Sequence, residues 1–310
     1  MTATAELEVR ASANYQRQKV LYAWLPGAAV SNFLKSQCIK EEQDRESQIL
    51  QSWQAAARAF SRKVPRTFES ISVQPIDPQY GAAVAAIQRD RRFANTFGQL
   101  PTEFATLEID NLIACQSTVA LDYVDKLMQQ FPKDLTFENL IDICLSLDKT
   151  VPEVSEMRSA ENTIIYSSEN TDFRFLGAFQ KPLEHVDLQS SSTGGIPKCG
   201  LLLLFGYGGS PVNVLRIGPR VFLNNGFHRV YALRRAGVTH IPAVVQNVSN
   251  AALEFPPVYQ NIPKDYLLQA ERLPTMQDYF DDHMTIELKM KARRRANKVT
   301  WISEPIDVPF

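Results

Sequence analysis

The residues in this sequence best suited to chemistry are Asn225, Gly226, His228 and Arg229, in the run Asn224-Asn225-Gly226-Phe227-His228-Arg229. Asn225 is a competent helix cap, and Gly226 lets the backbone approach a ligand closely. A helix beginning here leaves its first N–H groups free at the positive end of its dipole, so the segment reads as a cradle for an anion. On a wheel of about 100° per residue, Leu233, Ala236 and Ala232 all fall within about 60° of Arg229. The guanidinium therefore shares the face that packs. A lone buried charge is costly, so Arg229 must pair with a carboxylate, bond a strand carbonyl, or reach past the helix end to a phosphate or carboxylate ligand. His228 can touch an anion or hold a structural hydrogen bond, and the sequence leaves both open.

The elements that would hold these residues can be traced through the same half of the chain. Leu201–Phe205 reads as a buried strand, Gly206–Gly209 as a hairpin turn, and Val212–Ile217 as an alternating strand. Gly218-Pro219 turns the chain into a returning strand at Arg220–Leu223. The helix of interest runs from Phe227 to Ala236 and stops at Gly237, ahead of a final strand at Ile241–Val245. The glycine loop lacks the Gly-Lys-Ser/Thr ending of a P-loop.

Upstream, Ala28–Phe60 holds few breakers, and its apolar residues recur at helical spacing. Tyr80–Phe97 reads as helical. Leu112, Cys115 and Val119, then Ala120, Val124 and Leu127, step by three or four residues, as a buried helix face does. Pro132 closes that helix, and Thr136 caps another running to about Leu147. The expected fold class is α+β: a mainly helical region over residues 1–160, a mixed-sheet domain over 161–250, and an extension over 251–310.

Composition bounds the function. Of 310 residues, 45 % are hydrophobic and 22 % charged, enough for a packed core. No apolar run approaches the roughly 18 residues of a membrane helix, and the start carries no secretory signal, so a cytoplasmic protein without membrane contact is expected. Thirty-three Lys plus Arg against 34 Asp plus Glu leave a net charge of -1, so any nucleic-acid contact must come from a local patch. One exists: Lys289, Lys291, Arg293, Arg294, Arg295 and Lys298, on an expected helix from about Met284. It reads either as a solvated basic surface or as a contact for nucleic acid or an acidic protein. Cys38, Cys115, Cys144 and Cys199 lie too far apart for a zinc motif and read as reduced thiols. His185, His240 and His283 have no ligand-spaced neighbours.

The stretch Val221–Val245, with its Gly226-Phe227-His228-Arg229 core, its Ala-rich helix, Gly237 stop and Ile241-Pro242-Ala243-Val244-Val245 strand, resembles the ParB/sulfiredoxin-like superfamily. The resemblance covers mainly residues 200–247. It implies a mixed-sheet domain that binds a nucleotide, ATP or CTP with Mg2+, or another phosphorylated small molecule, through Asn225, Gly226, His228 and Arg229. Phe227 stands where sulfiredoxins carry their reactive cysteine, and Phe227-His228 where partition ParB proteins carry Glu-Arg. If the chain is catalytic, phosphoryl transfer or NTP hydrolysis is the implied class, with Glu184 and Asp187 as base or metal-ligand candidates. The alternatives are a DNA-binding, partition-like adaptor using the basic segment, and a non-catalytic interaction module.

Overall fold

A computed structural model describes residues 15–63, 73–148, 151–170, 172–183, 197–255, 258–259 and 262–306. The chain divides into two compact units, one of Met1–Asp148 with Gly209–Ala292, the other of Lys149–Gly208 with Arg293–Phe310. The boundaries therefore differ from breaks at 160 and 250: residues 149–208 interrupt the larger unit and form the smaller one together with residues 293–310, and most of the expected C-terminal extension belongs to the larger.

The larger unit opens with β1 (Tyr15–Leu21), α1 (Gly27–Gln37), α2 (Lys40–Asp44), α3 (Glu46–Arg62) and β2 (Val73–Pro75). Then come α4 (Gly81–Arg89), α5 (Arg91–Phe97), β3 (Thr102–Glu108), β4 (Thr118–Ala120), α6 (Leu121–Gln129) and α7 (Phe137–Leu145). The smaller unit contributes β5 (Ser155–Ala160), β6 (Thr163–Ser168), β7 (Arg174–Lys181) and β8 (Gly200–Gly206). The larger resumes with β9 (Asn213–Ile217), β10 (Arg220–Asn225), α8 (Phe227–Arg235), β11 (His240–Asn247), α9 (Ala251–Glu254), β12 (Val258–Tyr259), β13 (Ile262–Pro263), α10 (Lys264–Gln269) and β14 (Thr285–Lys291). The last strand, β15 (Arg295–Thr300), lies in the smaller unit.

A five-stranded sheet, in the order β10-β9-β11-β3-β2, forms the frame of the larger unit. Strands β9 and β10 form an antiparallel hairpin turned at Gly218, whose φ of 54° suits a residue without Cβ. After α8, β11 returns parallel to β9 and antiparallel to β3, because a parallel pair needs a crossover and the helix supplies it. Ile241–Val245 is buried throughout, as expected of a strand covered on both faces. Pro242 falls where β11 pairs with β3 alone, before its register with β9 starts at Val244, so its missing N–H interrupts no β9 ladder. A second sheet, β14-β1-β4, joins residues from both ends of the chain. The capping role of Thr136 holds: its Oγ1 accepts from the Asn139 amide at 3.3 Å.

Several expectations are corrected. The stretch Leu112–Cys115 is extended, not helical. Ile113 N donates to Val221 O at 2.9 Å, Leu223 N donates to Ile113 O at 3.0 Å, and Ala114 N donates to Pro274 O at 2.9 Å. All four residues are buried, so the three-and-four spacing marks a segment threaded between strands, and the helix starts only at Leu121. The region before α1 begins with a strand, β1, and residues 102–108 form β3. The basic segment is not a helix from Met284 but two strands, β14 and β15. Lys289 on β14 alternates with buried Leu288 and half-buried Met290, a period of two that the charge run obscures.

In the smaller unit, a three-stranded sheet (β15-β6-β5) lies alongside the antiparallel β7-β8 pair. Phe173 is fully buried among Phe205 and Tyr207, and Tyr166 stacks on Phe205 at 5.2 Å between centroids. The run Leu201–Phe205 is a strand, but not a buried one: Leu201 is 69 % exposed, and among the described residues β8 pairs with β7 alone. Gly206–Gly209 is likewise no hairpin turn. It leads from β8, paired in one sheet, to β9, paired in another.

If Leu112–Cys115 is a core segment, Ile113→Ala should cost about 2–5 kcal/mol, as other buried Ile truncations do. Chemical denaturation of the larger unit measures this, and a loss below about 0.5 kcal/mol, typical of a surface site, would contradict the threading.

Candidate functional site

The expected site residues lie at the junction of β10 and α8. Helix α8 starts from Gly226, whose φ of 99° is left-handed, and a Cβ there would lie 2.8 Å from Val212 Cγ2. Only glycine meets both demands. The turn thus brings the end of β10 against the segment entering β9, and aims the first turn of α8 at residues 209–212.

Asn225 does not cap the helix. Its Nδ2 donates to Gly209 O at 2.8 Å and Pro211 O at 3.2 Å, and the N-cap position belongs to Gly226. The reason is the left-handed step at Gly226, which puts one residue more between Asn225 and the helix than the cap geometry allows. Asn225 is instead part of an asparagine network. Asn224 Nδ2 donates to Asn213 Oδ1 at 2.7 Å, and buried Asn213 passes the linkage to Pro211 O at 3.1 Å. Sequence reasoning missed Asn213 and Asn224; an Asn-Asn pair beside a glycine, with a third Asn heading the neighbouring strand, was the available signal.

Arg229 lies on the packed face, as the wheel requires. No carboxylate meets it among the described residues. Its Nη1 donates to Ile143 O at 3.0 Å, and its Nη2 donates to Ser210 O. Ile143 lies in the last turn of α7, where unsatisfied carbonyls carry partial negative charge, so a dipole end partly balances the guanidinium. Burial pulls the Arg229 pKa below its usual value, while the nearby Cys144 and Tyr123 act the other way. Burial pushes the Cys144 thiol up to about 12, so no thiolate is available as counter-charge at neutral pH.

His228 is not a cationic ligand group. Its Nε2 accepts the Ala120 amide at 3.1 Å, which places the remaining ring proton on Nδ1, and Tyr123 meets it edge-on at 5.3 Å. Burial lowers its pKa to about 4. The imidazole is neutral and structural, tying α8 to β4.

The first amides of α8 are the part of the cradle left open. No side chain caps the helix, and no acceptor among the described residues takes the amides of Phe227, His228 or Arg229. The local arrangement is thus a helix N-terminus with three unclaimed donors, backed by a buried guanidinium bonded only to neutral carbonyls. Such an arrangement can stabilise an oxyanion. Glu184, Asp187 and His185 lie outside the described residues, and no group of three His, Cys, Asp or Glu side chains among the described residues could hold a metal ion.

The six basic residues are all exposed, and they divide between the units. Lys289 Nζ lies 4.9 Å over the Tyr15 ring, and Lys291 Nζ reaches Ser36 O at 3.5 Å, both within the larger unit. In the smaller, Arg294 pairs with Glu169 at 3.0 Å, whereas Arg295 and Lys298 meet no carboxylate among the described residues. No helix among the described residues is long and apolar enough to cross a membrane.

The state of His228 has a pH signature. The unfolded chain binds that proton more tightly, near the ordinary pKa of 6.5, so its contribution to stability is complete above pH 6.5 and is lost as pH falls toward 4. Over that window the loss is on the order of 3 kcal/mol. Urea titrations of wild type and His228→Gln at pH 7 and 4.5 should show the variant losing less stability on acidification; equal losses would contradict a buried neutral imidazole. Compared with known proteins, the chain matches no family model, no curated protein and no solved structure.

Proposed function

We propose that the larger unit binds a phosphorylated small molecule at the N-terminus of α8, with a nucleotide such as ATP or CTP as the finer reading. The observation that carries this is Arg229: a buried guanidinium with no carboxylate beside it among the described residues, in the same helix turn as three amides that no cap claims. A cation in the first turn of a helix opposes the dipole of that helix. The carbonyl at the end of α7 offsets part of that cost, and an anion on the free amides would offset the rest. In this reading Phe227, His228 and Arg229 contribute backbone N–H donors, Arg229 contributes charge, and Asn225 holds the opposing loop rather than the ligand. Any Mg2+ would arrive on the phosphates, since Mg2+ is commonly held by one or two carboxylates together with substrate phosphates. No residue is assigned a catalytic role.

Calorimetric titration of ATP, CTP and inorganic pyrophosphate into the full chain tests this. Wild type should bind at least one of them saturably, and Arg229→Gln should weaken that binding by about 10- to 100-fold, the worth of a charge-assisted contact. Because Arg229 also bonds α7 and the 210 loop, Arg229→Lys provides the control: it keeps the charge and should restore part of the affinity. No binding by wild type, or equal binding by a folded Arg229→Gln, rejects the assignment.

A second reading rests on Arg293, Arg294, Arg295 and Lys298, the exposed basic residues of the smaller unit, namely contact with nucleic acid. Electrostatic binding through four phosphates would give a log–log salt slope of about -4. Removing two charges in Arg295→Gln/Lys298→Gln should make the slope shallower by about 2. Fluorescence anisotropy with a labelled duplex across a salt series measures it, and an unchanged slope removes those residues from the contact.

A further inference from the structure

The C-terminal end of α8 borders a cleft of about 700 Å³, away from the amides discussed above and within the size range of small-molecule sites. Its walls include Lys63, Arg234, Arg272, Phe280, Asp281 and Asp282. The cationic groups are held in place from behind. Arg234 gives Nε and Nη2 to Asp110 at 2.7 and 3.0 Å and lies 5.3 Å from the Phe280 ring centroid, while its Nη1 donates to no acceptor among the described residues. Arg272 lies 4.9 Å over Phe60 and gives Nη2 to both oxygens of buried Asp278, and its Nε is buried with no partner among the described residues. Lys63 Nζ bridges Asp278 and Asp281 at 3.2 and 2.8 Å.

The wall of this cleft carries both signs. Lys63, Arg234 and Arg272 line it together with Asp281, Asp282 and His283, and Asp278, Asp110 and Lys19 pair with these residues from outside the lining. A simple anion entering the cleft would meet Asp281 and Asp282 on its wall, and a simple cation would meet Lys63, Arg234 and Arg272. Like charges brought together in a partly desolvated site repel strongly, so neither is well matched. A ligand bearing both signs satisfies both walls. The accessible groups suit this: Arg234 Nη1 donates to no acceptor among the described residues, and Asp282, 91 % exposed, accepts from Lys19 Nζ through Oδ1 and keeps Oδ2 available among the described residues.

We propose that this cleft binds a zwitterionic small molecule, a free amino acid or a close analogue, with its carboxylate toward Arg234 and Lys63 and its ammonium toward Asp282. Phe280 supplies the apolar wall for the ligand's carbon skeleton. The site is separate from the phosphate reading, because it uses the opposite end of α8 and shares no residue with it.

The test is calorimetry and thermal shift of the full chain with each of the common amino acids, and with acetate, methylammonium and inorganic phosphate as singly signed probes at constant ionic strength. At least one amino acid should bind saturably, and none of the singly signed probes should match it. Arg234→Gln and Asp282→Asn should each weaken that binding by about tenfold or more, whereas Arg235→Gln, an exposed cation of the same helix outside the cleft, should leave it within about twofold. Should Arg234→Gln fail to fold, the exposed Asp282→Asn decides alone. Absence of binding by every amino acid, acetate or phosphate binding as tightly as the best of them, or full affinity in Asp282→Asn would overturn the proposal.

Discussion

The buried guanidinium of Arg229 is the constraint around which the larger unit is arranged. A full positive charge has been taken out of water, and among the described residues no carboxylate neutralises it and only carbonyls receive it. Two carbonyls from distant parts of the chain must therefore be turned inward and kept there: Ile143 at the end of α7 and Ser210 ahead of β9. The chain does this with backbone bonds that need no charge. Val212 N donates to Cys144 O at 2.7 Å and Val244 N donates to Val212 O at 2.9 Å, so the end of α7, the 210 loop and β11 are linked independently of Arg229. The asparagines 213, 224 and 225 then orient the carbonyls of Gly209 and Pro211. Breaking any one of these would leave a buried polar group without its partner, which costs more than the bond itself contributes.

The same helix turn imposes a second demand. Because Arg229 points into the core, His228 one residue earlier is carried toward α6 and β4, where the Ala120 amide fixes its tautomer. Neighbouring polar residues on α8 thus secure different sides of it. Arg229 holds the 210 loop and α7, His228 holds β4, and Arg234 holds Asp110. A helix fixed in this way does not rotate to suit a ligand, so the direction of its first amides is set by the fold rather than by what binds there.

The parts legible from the sequence were those written in local chemistry. The β9-β10-α8-β11 segment was readable because each element ends at a residue with a conformational reason, Gly218 and Gly226 with positive φ and Gly237 after the helix. The wheel placed Arg229 on the packed face for the same reason, since 3.6-residue periodicity is a local property. The errors arose where burial depends on residues far away in the chain. Leu112–Cys115 carries the spacing of a helix face, but Val221, Leu223 and Pro274 supply its backbone partners, and nothing near residue 112 announces them. The run Leu201–Phe205 errs in the opposite sense: an apolar strand is buried only if another layer covers it, and that is decided by topology rather than composition. The role of Asn225 turned on one dihedral angle at Gly226.

The interruption of the larger unit by residues 149–208, the first segment of the smaller, follows from the same backbone links. Its entry and exit lie just beyond Cys144 and just before Val212, two residues that are hydrogen-bonded to each other. The larger unit has therefore already brought the ends of the insertion together, and its core requires only that the segments before Asp148 and after Gly209 be anchored. The entropic cost of closing a loop rises slowly with its length, so an inserted segment of this size adds little beyond a short connection once its ends are held. The anchoring residues Cys144 and Val212 adjoin the carbonyls that receive Arg229 and Asn225, those of Ile143, Ser210, Gly209 and Pro211. The physical burden on the 209–212 loop is thus double, to terminate an insertion and to present carbonyls to a buried cation, and a side chain at Gly226 would disturb both by meeting Val212.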